Sequence, residues 1–389
     1  MNQNTSQSQP AIVIIGSGLA GYTVIREIRK LDKTIPITLI TQEPGYFYSK
    51  PTLSTALANN KSAEQLISTN MEEMANQLEM TIFGGASVLA IDTYSQTITT
   101  SKRLLPYSKL VMALGADQIR LPLQGNSAAE VLTVNDLEDY AIFRQSISGK
   151  KKVVILGAGL IGCEFANDLV LGSYEVDVID LAPQALGHLL PEAVAVILQG
   201  KLRDAGVRWH FGTTIQSINR EDDLLQVTLA NGMIIASDVV LSAVGLRPRL
   251  DLAKAAGIAV GQGIQVDRRL ETSAKNVYSI GDCAEVNGLV LPYVMPIMQS
   301  GRTLALNLLG REITLTYPAM PIIVKIPVLP TIVSPPAKGT NGEWKINLSE
   351  GGLEARFEST DGKLLGFALL GTATSLRKAL TKKLPAVLQ

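Results

Sequence analysis

The sequence predicts an α/β fold with two doubly wound parallel-sheet domains and a small C-terminal α+β domain. Three observations carry this. A strand, a Gly-x-Gly-x-x-Gly turn, a helix, a second strand and a carboxylate follow one another twice, about 141 residues apart, which is the order of a dinucleotide-binding βαβ unit. Of 389 residues, 46% are hydrophobic and 18% charged, too apolar to remain unfolded and too many for one core, which rarely grows past roughly 250 to 300 residues. After residue 317 the chain turns Pro-rich (Pro318, Pro321, Pro327, Pro330, Pro335, Pro336) with period-2 patterning, the mark of short strands with edges and turns.

Residues 11–15 form an Ile/Val-rich run ended by Gly16-Ser17-Gly18-Leu19-Ala20-Gly21. A helix to residue 30 follows, then a buried strand at 36–41 that closes on Gln42 and Glu43. Residues 151–156 repeat the device with Gly157-Ala158-Gly159-Leu160-Ile161-Gly162, a helix through residue 171 and a strand at 175–179 that ends at Asp180. One such turn is a weak signal; two in the same context are a fold. Residues 110–115 and 239–245 are apolar strands ending in Gly115 and Gly245, read as the crossings between domains. The 277–282 stretch delivers Gly281-Asp282 at the carboxyl end of a strand, where open α/β sheets bind ligands. The expected layout is a first domain from 11–116 and 246–317, a second at 117–245, and a C-terminal interface domain at 318–389.

In each fingerprint the first glycine permits the turn, the second lets the backbone approach a pyrophosphate and the third allows close helix packing. The helix N-terminus then faces the phosphates with its free N–H groups. Glu43 and Asp180 stand where a carboxylate accepts bonds from ribose hydroxyls, the bland alternative being a solvated loop acid. A 2′-phosphate would meet the charge of Asp180, and residues 181–190 offer no Arg or Lys to offset it, so NADH is favoured over NADPH. Two sites on one chain suggest a flavin held permanently and a nicotinamide that comes and goes.

Other classes are disfavoured. Lys plus Arg and Asp plus Glu number 35 each, leaving no field for nucleic acid or an anionic membrane, and no apolar run reaches a transmembrane length. Residues 1–10 are polar with no signal-peptide pattern, so no export is expected. The two cysteines, Cys163 and Cys283, lie far apart and suit packing in a reducing cytosol. His188 and His210 have no ligand spacing, so no protein metal site is expected.

The two fingerprints, Glu164 after the second and the 272–282 stretch together resemble the two-dinucleotide-binding flavoprotein family, which includes glutathione reductase, ferredoxin reductases and NADH oxidases. The resemblance spans nearly the whole chain. Its disulfide reductases carry a dithiol after the first fingerprint and its NADH oxidases a single cysteine; here that region reads Tyr46-Phe47-Tyr48-Ser49-Lys50-Pro51-Thr52-Leu53-Ser54. This is similar to the basic-Pro-x-Leu-Ser segment of members that pass electrons to small iron proteins. Residues 48–51, 156–169, 243–249 and 281–285 resemble the members that serve rubredoxin in bacterial alkane oxidation.

The resemblance implies FAD and NADH as cofactors and rubredoxin, a small acidic one-electron iron protein, as partner, with an indirect link to a membrane hydroxylase and a cytoplasmic location. It implies FAD contacts at Gly16, Ser17, Gly18, Leu19, Ala20, Gly21, Gln42 and Glu43. Lys50 would sit by the flavin N5 edge, paired with Glu164; the ordinary reading of both is a surface ion. Asp282 would bind the ribitol or phosphate edge, and Val88 the adenine through its backbone while serving as a core valine. A helix expected near residue 297 aims its N-terminus at the flavin N1 and C2 carbonyl, with the Val294 N–H as donor. Lys325, read as a charge inside an apolar strand, needs a partner; FAD competes with a role as a sheet-edge lysine. NAD would lie on Gly157, Gly159, Leu160, Ile161, Gly162, Asp180 and Gly245. The basic residues Arg377, Lys378, Lys382 and Lys383 read first as a solvated helix face and second as a receiving surface for an acidic carrier.

The expected activity is hydride transfer from NADH to FAD, then two one-electron transfers to two rubredoxins, with no side chain as general acid or base. A ferredoxin reductase of an oxygenase system is the nearest rival, and an NADH-sensing flavoprotein without turnover is a rival of another class.

Overall fold

The computed structural model describes residues 10–389, so the export reading of the N-terminal segment falls almost wholly outside the described residues. The chain forms two compact units: the first comprises residues up to Ser49, Ile67–Asp117 and Arg247–Tyr317, the second Lys50–Leu66, Gln118–Leu246 and Pro318–Gln389.

In the first unit a five-stranded parallel sheet runs in the order Val277–Ser279, Lys109–Met112, Ile12–Ile15, Ile37–Ile40, Thr81–Phe83. Ile12, Val13, Ile14, Leu39 and Ile40 are all buried, as a strand covered on both faces requires. The Leu19–Leu31 helix buries Tyr22, Val24, Ile25 and Ile28 and ends with Arg29 and Lys30 in its last turn, where cations suit the helix dipole. It packs on the Val294–Leu308 helix at Gly301, where a Cβ would stand 2.5 Å from Thr23 Cγ2. That second helix begins at Val294, three residues before the expected start. Pro296 explains the early start, since a proline costs nothing in a first turn whose N–H groups have no carbonyl partner. A three-stranded meander of Val88–Asp92, Thr97–Thr100 and Leu104–Pro106 forms a further sheet of the unit.

The second unit repeats the parallel device in the order Val207–Phe211, Glu175–Asp180, Lys152–Leu156, Val239–Ser242. Its C-terminal part is a five-stranded antiparallel sheet, Ile322–Val324, Thr331–Ser334, Leu364–Gly371, Gly352–Glu358, Glu343–Ser349. The short Arg377–Thr381 helix closes it, with Leu380 packed among Phe367, Leu369 and Ala373.

Residues 50–66, expected within the 11–116 segment, group with the second unit. The Leu160–Leu171 helix holds them: Asp168 accepts from the Leu57 and Ala58 backbone N–H groups at 2.9 and 3.0 Å. Burial pushes the Asp168 carboxyl up against the pull of those two bonds. Tyr140, from the Leu137–Ile147 helix, donates its hydroxyl to the Lys61 carbonyl at 3.0 Å. No helix among the described residues is long and apolar enough to cross a membrane.

Candidate functional site

Each unit carries one glycine cradle. In the first, Gly16 has φ +112° and a Cβ there would lie 2.2 Å from the Ala113 carbonyl oxygen. A Cβ on Gly21 would lie 2.0 Å from the Gly16 carbonyl oxygen, whereas one on Gly18 would meet nothing within 4 Å. Two glycines therefore let backbone pack on backbone, and the third leaves open space in front of the helix. Ser17 and Thr41 share a buried hydroxyl hydrogen bond of 2.8 Å beneath the turn. Gln42 is exposed and Glu43 half-buried just past the second strand, the Glu43 N–H bonded to Thr41 Oγ1 at 3.2 Å. Leu19 and Ala20 open the helix. Gly281, at φ +85°, comes so close to Ala20 that a Cβ would be 2.8 Å from the Ala20 Cβ, which sets Asp282 beside the cradle. Val294 is the first residue of its helix and exposed, so its N–H belongs to the turn without intrahelical carbonyl partners. Val88 begins a meander strand, half-buried.

In the second unit the same logic recurs. Cβ atoms on Gly157 and Gly162 would lie 2.6 Å from the Ala243 carbonyl oxygen and 1.9 Å from the Gly157 carbonyl oxygen, and one on Gly159 would meet nothing. Leu160 opens the helix, Ile161 is exposed beside it, and Gly245 is exposed at φ +117°. Asp180 ends its strand with both oxygens engaged: Oδ2 accepts from the Ala158 N–H at 2.5 Å and Oδ1 from the Ala182 N–H at 2.7 Å. The carboxylate thus braces the loop it serves, and each oxygen keeps capacity for a further donor. Gly162→Ala is expected to push the loop off the helix, because the contact is backbone on backbone. We expect KM for NADH to rise roughly tenfold or more with the FAD content unchanged; steady-state kinetics on the holoprotein checks it.

The charged residues expected at the flavin edge assemble differently. The ammonium on Glu164 is Lys325, which also donates to Ser54 Oγ at 2.8 Å; Ser54 in turn donates to Glu164 Oε2 at 2.6 Å, and the Lys325 backbone N–H to Glu164 Oε1 at 2.9 Å. Glu164 is 1% exposed. Lys50 Nζ donates to Asn135 Oδ1 at 2.6 Å, and where the resemblance implied Lys50 as the partner of Glu164, the ion pair on that carboxylate comes from Lys325. Asn135 is set by the start of the next helix, its N–H bonded to Asp139 Oδ2 at 2.8 Å. The Ile322–Val324 strand, at one edge of its sheet, ends one residue before Lys325, so Lys325 follows the strand instead of lying inside it. Pro327 accounts for the stop, as proline cannot continue the ladder.

Sequence reasoning missed Asn135, Asn167 and Asp168. A signal existed for two of them: Glu164, Asn167 and Asp168 form an i, i+3, i+4 polar stripe on an otherwise apolar helix, and all three are buried, which marks a packed polar seam. Asn167 Oδ1 accepts from the Val328 N–H at 3.4 Å, on the same C-terminal segment as Lys325.

Both cysteines are inside the protein. Burial pushes the Cys163 and Cys283 thiols up, Cys163 Sγ donating to the Ala158 carbonyl at 3.2 Å. Neither has the exposed thiolate that redox exchange requires. His210 Nε2 lies 2.8 Å from Asp177, which also holds Arg208, a structural cluster on the sheet edge.

Two glycine cradles, each backed by a parallel sheet and open before a helix N-terminus, define a two-nucleotide α/β oxidoreductase scaffold. Residues 10–306 match the profile of pyridine nucleotide-disulphide oxidoreductases, and residues 314–384 that of a rubredoxin binding C-terminal domain. The chain belongs to the pyridine nucleotide-disulphide oxidoreductase family, whose members use FAD and NAD(H). It is 45% identical to a rubredoxin-NAD(+) reductase of Alcanivorax borkumensis, over 97% of this chain and 99% of that one. It is 44% identical to a rubredoxin-NAD(+) reductase of Acinetobacter baylyi, over 96% and 98%. Among solved structures it is similar to a ferredoxin reductase from Rhodopseudomonas palustris, with a TM-score of 0.87, 26% identity and coverage of 97% and 96%.

Proposed function

We propose that this chain is an NADH-dependent flavoprotein reductase that delivers single electrons to rubredoxin. The observation that carries the reading is the match of residues 314–384 to a rubredoxin binding domain, joined to a chain with two nucleotide cradles. The residues present fit both cofactors: Gly18 and Gly159 leave the space a pyrophosphate needs, and Glu43 and Asp180 stand at the strand ends. FAD, when bound, takes up the hydride of NADH and releases its electrons one at a time. Gly16 to Gly21, Gln42, Glu43, Val88, Asp282 and the Val294 N–H would hold FAD; Gly157, Gly159 to Gly162, Asp180 and Gly245 would hold NADH. Lys50, Glu164 and Lys325 are proposed to serve the flavin ring, and Lys50→Met tests this: slower flavin reduction by NADH or a shifted potential supports it, and neither removes Lys50. With both thiols buried and protonated, no protein dithiol relays the electrons.

The test is anaerobic, NADH-driven bleaching of purified rubredoxin with a ferredoxin run in parallel. Bleaching of rubredoxin alone supports the reading. Bleaching of ferredoxin alone favours the second reading, which rests on the likeness to the Rhodopseudomonas palustris ferredoxin reductase. Flavin reduction with neither carrier bleached would leave an NADH sensor. We further propose a cytosolic enzyme feeding an alkane hydroxylase, supported by the low cysteine count and the motif resemblance; unchanged growth on alkanes after deletion of the gene would remove that assignment.

A further inference from the structure

The chain is balanced in charge, 35 against 35, yet residues 362–389 contain no Asp or Glu while Lys363, Arg377, Lys378, Lys382 and Lys383 fall there. Four of these five share one short segment. Arg377 and Lys378 open the Arg377–Thr381 helix, Lys382 and Lys383 follow it, and all four are exposed. None of the four enters an ion pair among the described residues, whereas Lys325, Lys345 and Arg356 of the same domain each hold a carboxylate. Two aliphatic side chains of the same C-terminal stretch are exposed, Leu376 at 38% and Val387 at 47%. The segment is held from beneath: Leu380 is buried on Phe367 and Leu369, and Leu384 packs on the same cluster.

Unneutralised like charges in one segment repel one another and add nothing to folding. Exposed aliphatic side chains and unneutralised cations carried by one segment on a packed support are the composition of a protein docking surface. Cations there select an acidic partner and speed its approach. We propose that the surface formed by Leu376, Arg377, Lys378, Lys382, Lys383 and Val387 receives a carboxylate-bearing face of the electron-accepting rubredoxin. The proposal rests on the rubredoxin reading above and adds where and by what chemistry the carrier docks.

The test uses the full-length, FAD-loaded enzyme with all four cations changed to Gln (Arg377→Gln, Lys378→Gln, Lys382→Gln, Lys383→Gln). We expect KM for rubredoxin to rise about tenfold at low ionic strength. The parent's KM should climb with salt and the variant's stay nearly flat, because exposed charges are screened beyond roughly 8 Å at 0.15 M. Turnover with menadione, a neutral acceptor, should be unchanged in the variant, and so should its melting temperature. Leu376→Ser should raise the rubredoxin KM at every salt concentration. A variant that keeps the parent's KM and salt slope while the parent reduces rubredoxin would falsify the docking surface and leave a solvated helix face. A parent that reduces menadione but not rubredoxin overturns the functional reading as well, so the two failures are distinct.

Discussion

Asp180→Ala combined with Leu181→Arg should reverse the coenzyme preference, raising the ratio of kcat/KM for NADPH to that for NADH by about a thousandfold. Two like unit charges 5 Å apart at an effective dielectric of about 20 repel by roughly 3 kcal/mol, or about 150-fold. Removing the carboxylate lifts that repulsion from a 2′-phosphate and takes away an acceptor for the ribose hydroxyls of NADH. Leu181 is 70% exposed, so an arginine there needs no repacking and supplies a charge-assisted bond to the phosphate. Part of the NADH loss will come from the loop itself, because Asp180 also accepts from the Ala158 and Ala182 N–H groups. Asp180→Asn separates the two effects: it keeps one acceptor for the loop and loses the charge. Steady-state kinetics with both coenzymes reads the ratio, and an unchanged value would take Asp180 out of the ribose site.

Lys325→Met should destabilise the second unit by about 3 kcal/mol, lowering its melting temperature by roughly 6 to 12 °C. The substitution leaves Glu164, 1% exposed, without its ammonium. Ser54 and the Lys325 N–H remain as donors, but two neutral donors do not replace a counter-charge in a buried site. The cost stays at the lower end of what buried pairs show because Lys325 keeps 30% of its side chain in solvent. Pairing it with Glu164→Gln removes the stranded charge, so the double variant should be more stable than Lys325→Met alone. That sign, measured in a double-mutant cycle by thermal or urea unfolding, distinguishes an ion pair from lost packing. Equal stability of the single and double variants would mean that the carboxylate finds solvent or another partner.

The elements around both cradles were legible in the chain because they are local. A run of Ile and Val, a glycine pattern and a helical repeat reside within about thirty residues, and the approaches that demand Gly21 and Gly162 lie within the turn itself, whereas Gly16 and Gly157 meet the Ala113 and Ala243 carbonyls of a distant strand end. The acid at the end of each second strand follows from the same geometry. The start of the Val294–Leu308 helix was misplaced by three residues, since a proline in a first turn reads as a boundary when only the sequence is seen.

What only tertiary structure decided is which distant side chains meet. Periodicity places Glu164 on a helix face but carries no information on which lysine, 114 residues before or 161 after, brings its ammonium there. By charge either lysine would serve, and the family resemblance pointed to Lys50. Packing of the C-terminal segment against the Leu160–Leu171 helix, where Asn167 and Glu164 accept from Val328 and Lys325 backbone N–H groups, delivered Lys325. Asn135, fixed by Asp139, took Lys50. The sequence by itself determined the two nucleotide cradles, because glycine turns and buried strands are short-range facts. The partner of Glu164 was decided by the fold, because a buried carboxylate is satisfied by whichever donor the packed chain carries to it.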